Sequence, residues 1–256
     1  MSKLTTTIPF TKIDKIDIYV NSKKKSMDKI KKELGCDYLI NAGLFQMNTF
    51  KPINKLVADG KVLSNANGML GFSFNGNKTV LSYENNVNYP EHVSGYPCLL
   101  KSGQKAYTST PAGLSGRRGR SAIGYGTHAL VLYCCSDGND AMTLDELTAK
   151  MRSLGCVDAI NLDGGGSSQC DFAGSQIKSN RIVHNYIAIW LVKSGQEKTV
   201  SVRSTLNIRK NPPNVLGINT SKVIGKYYNN ESVRVYEVRN GWGRTDIGWV
   251  SMKYLR

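Results

Sequence analysis

Residues Asn161–Cys170, NLDGGGSSQC, constrain this chain more than any other stretch. Three consecutive glycines follow an aspartate at the end of an apolar run, and two serines follow them. Glycine loses more backbone freedom on folding than any other residue. A triplet therefore marks a place where the chain needs positive φ or close approach to another group. The preceding segment, MTLDELTAKMRSLG (Met142–Gly155), reads as the clearest helix in the chain. Thr143 caps it, Glu146 completes a capping box, Leu144, Leu147, Met151 and Leu154 form its apolar stripe, and Gly155 ends it. The strand VDAINL then runs straight into the glycines.

Asp163 therefore stands at a strand end, next to N–H groups that can converge on an anion as a nest. Ser167 and Ser168 add hydroxyl donors, and a helix start at this point would add partial positive charge. The pocket so formed suits a phosphate or a polyhydroxy sugar. It is not a P-loop, because no Gly-Lys-Ser/Thr follows at the required spacing, and GxGxxG is absent. The plainer reading is a tight turn in which Asp163 bonds its own backbone. Two glycines would satisfy such a turn, so the triplet favours a site.

The remaining elements surround this segment. KIDIYVN (15–21) reads as a strand, and 26–34 as a helix with Met27, Ile30 and Leu34 on one face and Gly35 as its stop. YLINAGLF (38–45) is an apolar run broken at Ala42-Gly43. KLVADGKVL and GFSFNGNKTVLSY read as hairpins turning at Asp59-Gly60 and Asn75-Gly76. A basic glycine-rich loop, GLSGRRGR (113–120), leads into the strand HALVLYCC, and a turn at Asp137-Gly138 follows. HNYIAIWLV (184–192) closes this first module. Segment 194–199 reads as a polar linker, and 200–256 as short strands and turns. The fold expected is α+β: a mixed, sheet-rich domain over 1–193 with flanking helices, followed by a small all-β barrel.

Composition excludes a membrane span, since no apolar run is long enough to cross a bilayer. The amino terminus has no apolar core of the kind a secretory signal needs, so the reading is a chain made in the cytoplasm without ordinary export. Net charge is +15, from 34 basic and 19 acidic residues, and both modules are basic. That field favours polyanions: nucleic acid, anionic membrane or a phosphate-rich wall polymer. The six cysteines form no CxxC pair and read as reduced, mostly buried thiols. His92, His128 and His184 show no ligand spacing, so neither a metal nor another cofactor is expected.

In order along the chain, NAGLF (41–45), KPINKLVADGKV, GRSAIGYG (119–126), SDGND (136–140), TLDELTAKMRSLGCVDAINLDGGGSS (143–168) and RIVHNYIAIWLV (181–192) resemble the phosphodiester glycosidase family. The likeness covers about residues 15–192. NAGLF departs from the more usual Asn-Gly-Gly at its second position, Ala42. The resemblance implies cleavage of a sugar-1-phosphodiester, which needs an oxocarbenium-like centre stabilised, a phosphate neutralised and a water activated. It implies Asp163 as base, nucleophile or sugar anchor, and Arg120 with the N–H groups of Gly164, Gly165 and Gly166 on the phosphate. Asn41, Asp137, Asn161 and Arg181 are further site residues on this reading. Three of them have a plainer role open: a hairpin turn for Asp137, a strained corner for Asn41, a surface ion pair for Arg181. His184 reads as a satisfied core or edge histidine.

LNIRKNPP, VIGKYYNNESVRVY, NGWGRT and GWVSMKYLR, within 200–256, resemble the bacterial SH3-type domain. That family binds cell-wall peptide or glycan, which implies wall contacts by Trp242, Tyr227, Tyr228 and Arg244, with Trp249 in the core. The two resemblances together imply a glycosidase of the bacterial cell wall, similar to a phage endolysin and acting after release. Its partner would be peptidoglycan or an anionic phosphate-containing glycan. An inactive glycopolymer-binding protein is the first alternative. A nucleic-acid-binding protein is the remote one, because no recognition motif accompanies the charge.

Overall fold

The computed structural model describes residues 2–65, 69–83, 88–193 and 195–256. The chain divides into two units, Met1–Val192 and Lys193–Arg256. Every strand pair among the described residues is antiparallel.

Among the described residues three large sheets build the first unit, beside a two-stranded pair of Phe45–Gln46 with Lys51–Pro52. A six-stranded sheet runs, in spatial order, Lys3–Pro9, Ala129–Cys135, Arg120–Tyr125, Asp158–Asn161, Cys98–Lys101 and Gln104–Lys105. A five-stranded sheet runs Ser175–Ile177, Cys170–Phe172, Tyr38–Asn41, Asn185–Leu191 and Ile13–Val20. Another five-stranded sheet is made of the two expected hairpins and Glu91–Ser94. Ala58 pairs with Lys61 across Asp59-Gly60, where φ is +51° and +71°, the left-handed pair that a two-residue hairpin turn needs.

The three sheets share one core, to which Ile16, Ile40, Leu56, Phe72, Ile123, Ile160 and Ile187 contribute. Alternate residues on the same strands face the helices instead. Helix α1 (Met27–Leu34) packs Met27 and Ile30 with Leu39, Tyr186 and Ala188. Helix α2 (Leu144–Ser153) packs Leu144, Leu147 and Met151 with Leu100, Ala122, Val131 and Tyr133. Strands covered on both faces carry continuous apolar runs, which is why ALVLYCC and YIAIW lack polar alternation. The capping box at Thr143 and Glu146 is present, and Gly35 ends α1 at φ +59°.

The protein is mostly β, with 46% strand and 11% helix, rather than α+β. The two helices carry strong local signals, whereas strands such as Lys3–Pro9 are defined only by the partner they find. The second unit is not a closed barrel. It has a five-stranded sheet, Val223–Tyr228, Thr205–Arg209, Trp249–Ser251, Trp242–Arg244 and Glu237–Arg239, beside a two-stranded pair. That pair joins Gln196–Thr199 to Ser232–Val235, so most of the segment expected as a linker is a strand of the second unit; Ser194 lies outside the described residues. Polar composition suggested a linker, but an edge strand tolerates polar residues equally well. Val200, Leu206, Ile208, Val233 and Val250 form this unit's core. Among the described residues no helix is long and apolar enough to cross a membrane.

Candidate active site

The glycine triplet lies where the chain leaves the six-stranded sheet and enters the sheet containing Cys170–Phe172. The strand Asp158–Asn161 ends, and the backbone of Asp163 is clamped on both sides. Its N–H donates to Ala42 O at 2.8 Å, and Asn41 Nδ2 donates to its carbonyl at 2.7 Å. A short 3-10 turn, Gly165–Ser167, follows.

Each glycine answers to a different neighbour or conformation. A Cβ on Gly164 would stand 2.8 Å from Gly119 O. Gly165 has φ +58° and donates its N–H to Gly119 O at 2.8 Å. A Cβ on Gly166 would stand 2.8 Å from Arg181 Nη2, because the guanidinium lies against that glycine.

Around the Asp163 carboxylate, Gly164 N–H donates to Oδ1 at 3.0 Å. Burial pushes this carboxyl up to about 6, against the Ser167 hydroxyl, the Gly164 N–H and the Arg181 charge, which favour the ionised form. Arg181 Nη1 donates to Ser167 Oγ at 3.1 Å, so carboxylate, hydroxyl and guanidinium form one chain. Asp137 comes from the opposite side. Its Oδ1 accepts the Gly119 N–H at 2.7 Å, and its Oδ2 lies 3.8 Å from where a Cβ on Gly165 would be. Asp137 is exposed and is more than a hairpin turn, because it holds the loop against which the triplet folds.

Arg120 is 1% exposed, and its donors are largely committed. Nε donates to Met142 O at 2.9 Å, and Nη2 donates to Leu114 O at 2.8 Å and to Gly116 O at 3.1 Å. Nη1 comes within 3.9 Å of where a Cβ on Gly164 would stand. The guanidinium therefore anchors the glycine-rich loop and brings a buried positive charge to the triplet. Among the described residues it has no carboxylate within ion-pair distance. Arg117, by contrast, pairs with Glu146 at 2.7 Å on the surface.

Asn41 is fully buried, and both ends of its amide are engaged: Nδ2 on the Asp163 carbonyl, and Oδ1 accepting from Ser121 Oγ at 2.6 Å and from Gln169 N at 3.1 Å. It braces the Asp163 backbone from behind. Asn161 donates to Tyr96 O at 2.7 Å, while its Oδ1 is buried without a partner among the described residues, as is Ser168 Oγ. Sequence reasoning passed over Gly119, Ser121, Gln169 and Asn185. Asn185 holds the Asn41–Gly43 corner by accepting from Gly43 N at 2.6 Å. The signal for it was a buried amide inside an otherwise apolar strand. His184 is buried against Phe45 and Phe50 and contacts Asn185 Nδ2 at 3.0 Å. His92, for which the sequence offers no partner, is buried between Ser73 Oγ at 2.8 Å and Ser94 Oγ at 3.0 Å. Among the described residues no three His, Cys, Asp or Glu side chains are placed to hold a metal.

In the second unit the expected wall-contact residues differ in character. Trp242 is half-buried, and its Nε1 donates to Gly217 O at 2.8 Å. Tyr227 donates to Thr245 Oγ1 at 3.1 Å, Tyr228 is exposed, and Arg244 Nε lies 3.9 Å from Glu237 Oε2. Trp249 is core, at 6% exposure.

The sequence model of the phosphodiester glycosidase family matches residues 35–190. This span runs from the end of α1 through the triplet to the strand carrying Asn185 and covers more than half of the chain. The chain belongs to the phosphodiester glycosidase family. Membership marks it as a glycoside hydrolase of the class acting on phosphodiester-linked sugars. No curated protein sequence matches it. Among solved structures, the catalytic domain of zebrafish N-acetylglucosamine-1-phosphodiester alpha-N-acetylglucosaminidase, auto-inhibited by its pro-peptide, superposes with a TM-score of 0.59 at 17% identity. That match covers 74% of this chain and 84% of the zebrafish one. A hypothetical protein from Synechocystis gives 0.59 at 14% identity, over 74% of this chain and 59% of that one. A putative exported protein from Burkholderia pseudomallei gives 0.59 at 12%, over 73% of each. At these identities the likeness is one of fold.

Proposed function

We propose that this glycosidase hydrolyses a sugar-1-phosphodiester or related glycan of the bacterial cell wall, with the second unit holding it on that polymer. The observation that carries the reading is the half-buried Asp163 carboxylate at the glycine turn, with Arg181 and the buried Arg120 charge beside it. A bound sugar-1-phosphate group would find the Arg181 and Arg120 charges on one side and a carboxylate on the other; the Gly164 and Gly165 N–H groups, expected on the phosphate, are instead committed to Asp163 Oδ1 and Gly119 O. Phosphate is a good leaving group, so neutralising it matters more than protonating it with a strong acid.

In the proposed reaction the bond between the anomeric carbon and the phosphate oxygen breaks, and both of its electrons leave with the phosphate. Water adds to the anomeric carbon and gives its proton to the ionised Asp163. Arg181, with Arg120 behind the triplet, offsets the negative charge of the phosphate. Asn41 and Asn185 hold the corner that fixes the Asp163 backbone. Asp137 keeps Gly119 in place as the opposing wall.

The wall setting rests on the basic charge of both modules and on the SH3-like sequence pattern of the second unit. Tethering raises the local concentration of polymer at the active site, so modest affinity in the second unit suffices. A phage-lysin role, acting on the wall after release, is the setting we favour. Turnover of a synthetic sugar-1-phosphodiester, and release of reducing sugar from purified wall, test the reading. Both are expected with the wild type and lost in Asp163→Asn. No turnover on any such substrate would leave a glycopolymer-binding protein instead.

A further inference from the structure

The second unit contains a cleft of about 730 Å³ whose lining comes entirely from residues between Ser201 and Tyr254. It opens where the five-stranded sheet parts. Thr205–Arg209 pairs along its length with Val223–Tyr228, but on its other side it meets Trp249–Ser251 only at Arg209. The edge of the strand before Arg209 is thus left unpaired within the sheet.

The chemistry of the lining is one-sided. Arg203, Arg209 and Lys253 all contribute, and no Asp or Glu does. None of the three cations is in an ion pair among the described residues, whereas Arg239 and Arg244, elsewhere on the unit, both lie beside Glu237. Arg209 is held by Nη1 donating to Ser221 O at 2.7 Å, and its Nε is buried without a partner among the described residues. Two aromatic side chains complete the lining. The Trp242 ring is fixed through its Nε1 bond to Gly217 O, and Tyr254 is 41% exposed. Four serine and threonine hydroxyls line the same space. Flat apolar faces suit the C–H face of a sugar ring, hydroxyls suit its hydroxyls, and unpaired guanidinium and ammonium groups suit an anion.

We propose that this cleft binds an anionic glycan, with Trp242 and Tyr254 against the sugar and Arg203, Arg209 and Lys253 on its negative groups. The inference takes its polymer class from the proposed function, and it replaces Tyr227, Tyr228 and Arg244 as the expected contact set while keeping Trp242. A neutral wall peptide would leave three cations unanswered.

The test is titration of the full chain, by calorimetry at low ionic strength, with sugar-decorated poly(glycerol phosphate). A polyuronate and a neutral chito-oligosaccharide of similar length serve as comparisons. R203Q/K253Q is expected to weaken binding of the phosphate polymer by roughly tenfold or more, and Trp242→Ala to do the same. K222Q/K226Q removes two exposed lysines outside the cleft and controls for net charge. It is expected to bind within about threefold of wild type, a change of under about 1 kcal/mol. Polyuronate binding at similar strength makes charge the criterion, while preference for the phosphate polymer makes phosphate the recognised group; both support the cleft. Equal losses in R203Q/K253Q and K222Q/K226Q, no loss in either, or equal binding of the neutral glycan would overturn it. Turnover of a small soluble sugar-1-phosphodiester is expected to be unchanged in all of these variants. If even the wild type fails to turn over, the proposed reaction falls, and the binding result still stands by itself.

Discussion

Replacing Asp163 by asparagine is expected to abolish activity and to stabilise the protein, and the two effects have one cause. Burial holds the Asp163 carboxyl at about 6, against an ordinary 3.8. Because the folded value is the higher one, folding favours the protonated acid. Stability is therefore full below the ordinary value, falls as pH rises through the interval, and stays reduced above about 6. At about 1.36 kcal/mol per pH unit, the ionised carboxylate costs the fold about 3 kcal/mol at pH 8 and about 0.5 kcal/mol at pH 4. Asparagine keeps an oxygen for the Gly164 N–H and an N–H₂ for Ser167, but carries no charge. For a unit of this size, calorimetric melting should rise by roughly 6–12 °C at pH 8 and by roughly 1–2 °C at pH 4. Turnover should fall by roughly a thousandfold, the scale of a lost proton acceptor. In the wild type, kcat/KM should rise with pH through an apparent pKa of about 6. A variant active within about tenfold of wild type would refute Asp163 as the base. A melting gain equal at both pH values would refute the burial argument.

Three further outcomes follow from the same geometry. Asn41→Leu leaves Gln169 N–H and the Asp163 carbonyl without partners in the core and should cost about 2–4 kcal/mol, read as a lower melting temperature with loss of activity. Gly166→Ala displaces the Arg181 guanidinium, which is the flexible partner, and should reduce kcat/KM by roughly tenfold or more with stability changed by less than about 1 kcal/mol. Of the six cysteines, five are buried and all are free, and burial pushes Cys36 up to about 11 and Cys98 and Cys156 to about 12. A thiol reagent at neutral pH should therefore react slowly with the native protein and with all six thiols once it is denatured.

The sequence by itself determined whatever its nearest neighbours could fix. The capping box on α2, the left-handed turn at Asp59-Gly60 and the glycine stop after α1 depend on contacts within about four residues. The glycine triplet is mixed: Gly165 is there for its left-handed φ of +58°, whereas Gly164 and Gly166 answer to Gly119 and Arg181, far away in sequence. The apolar runs announced buried strands but not their partners, because strand pairing depends on residues far away in sequence. Tertiary structure alone decided that Lys3–Pro9 pairs with Ala129–Cys135, and that Gln196–Thr199 is a strand of the second unit. The same holds for side-chain roles. Arg120 read as a free fork for phosphate, yet three of its N–H groups hold backbone carbonyls from two separate loops. Asn41 read as a site residue, yet it closes a buried knot among Ser121, Gln169 and Asp163. Residue type tells what a side chain can donate or accept. Only the folded arrangement tells which of those capacities the protein has already used.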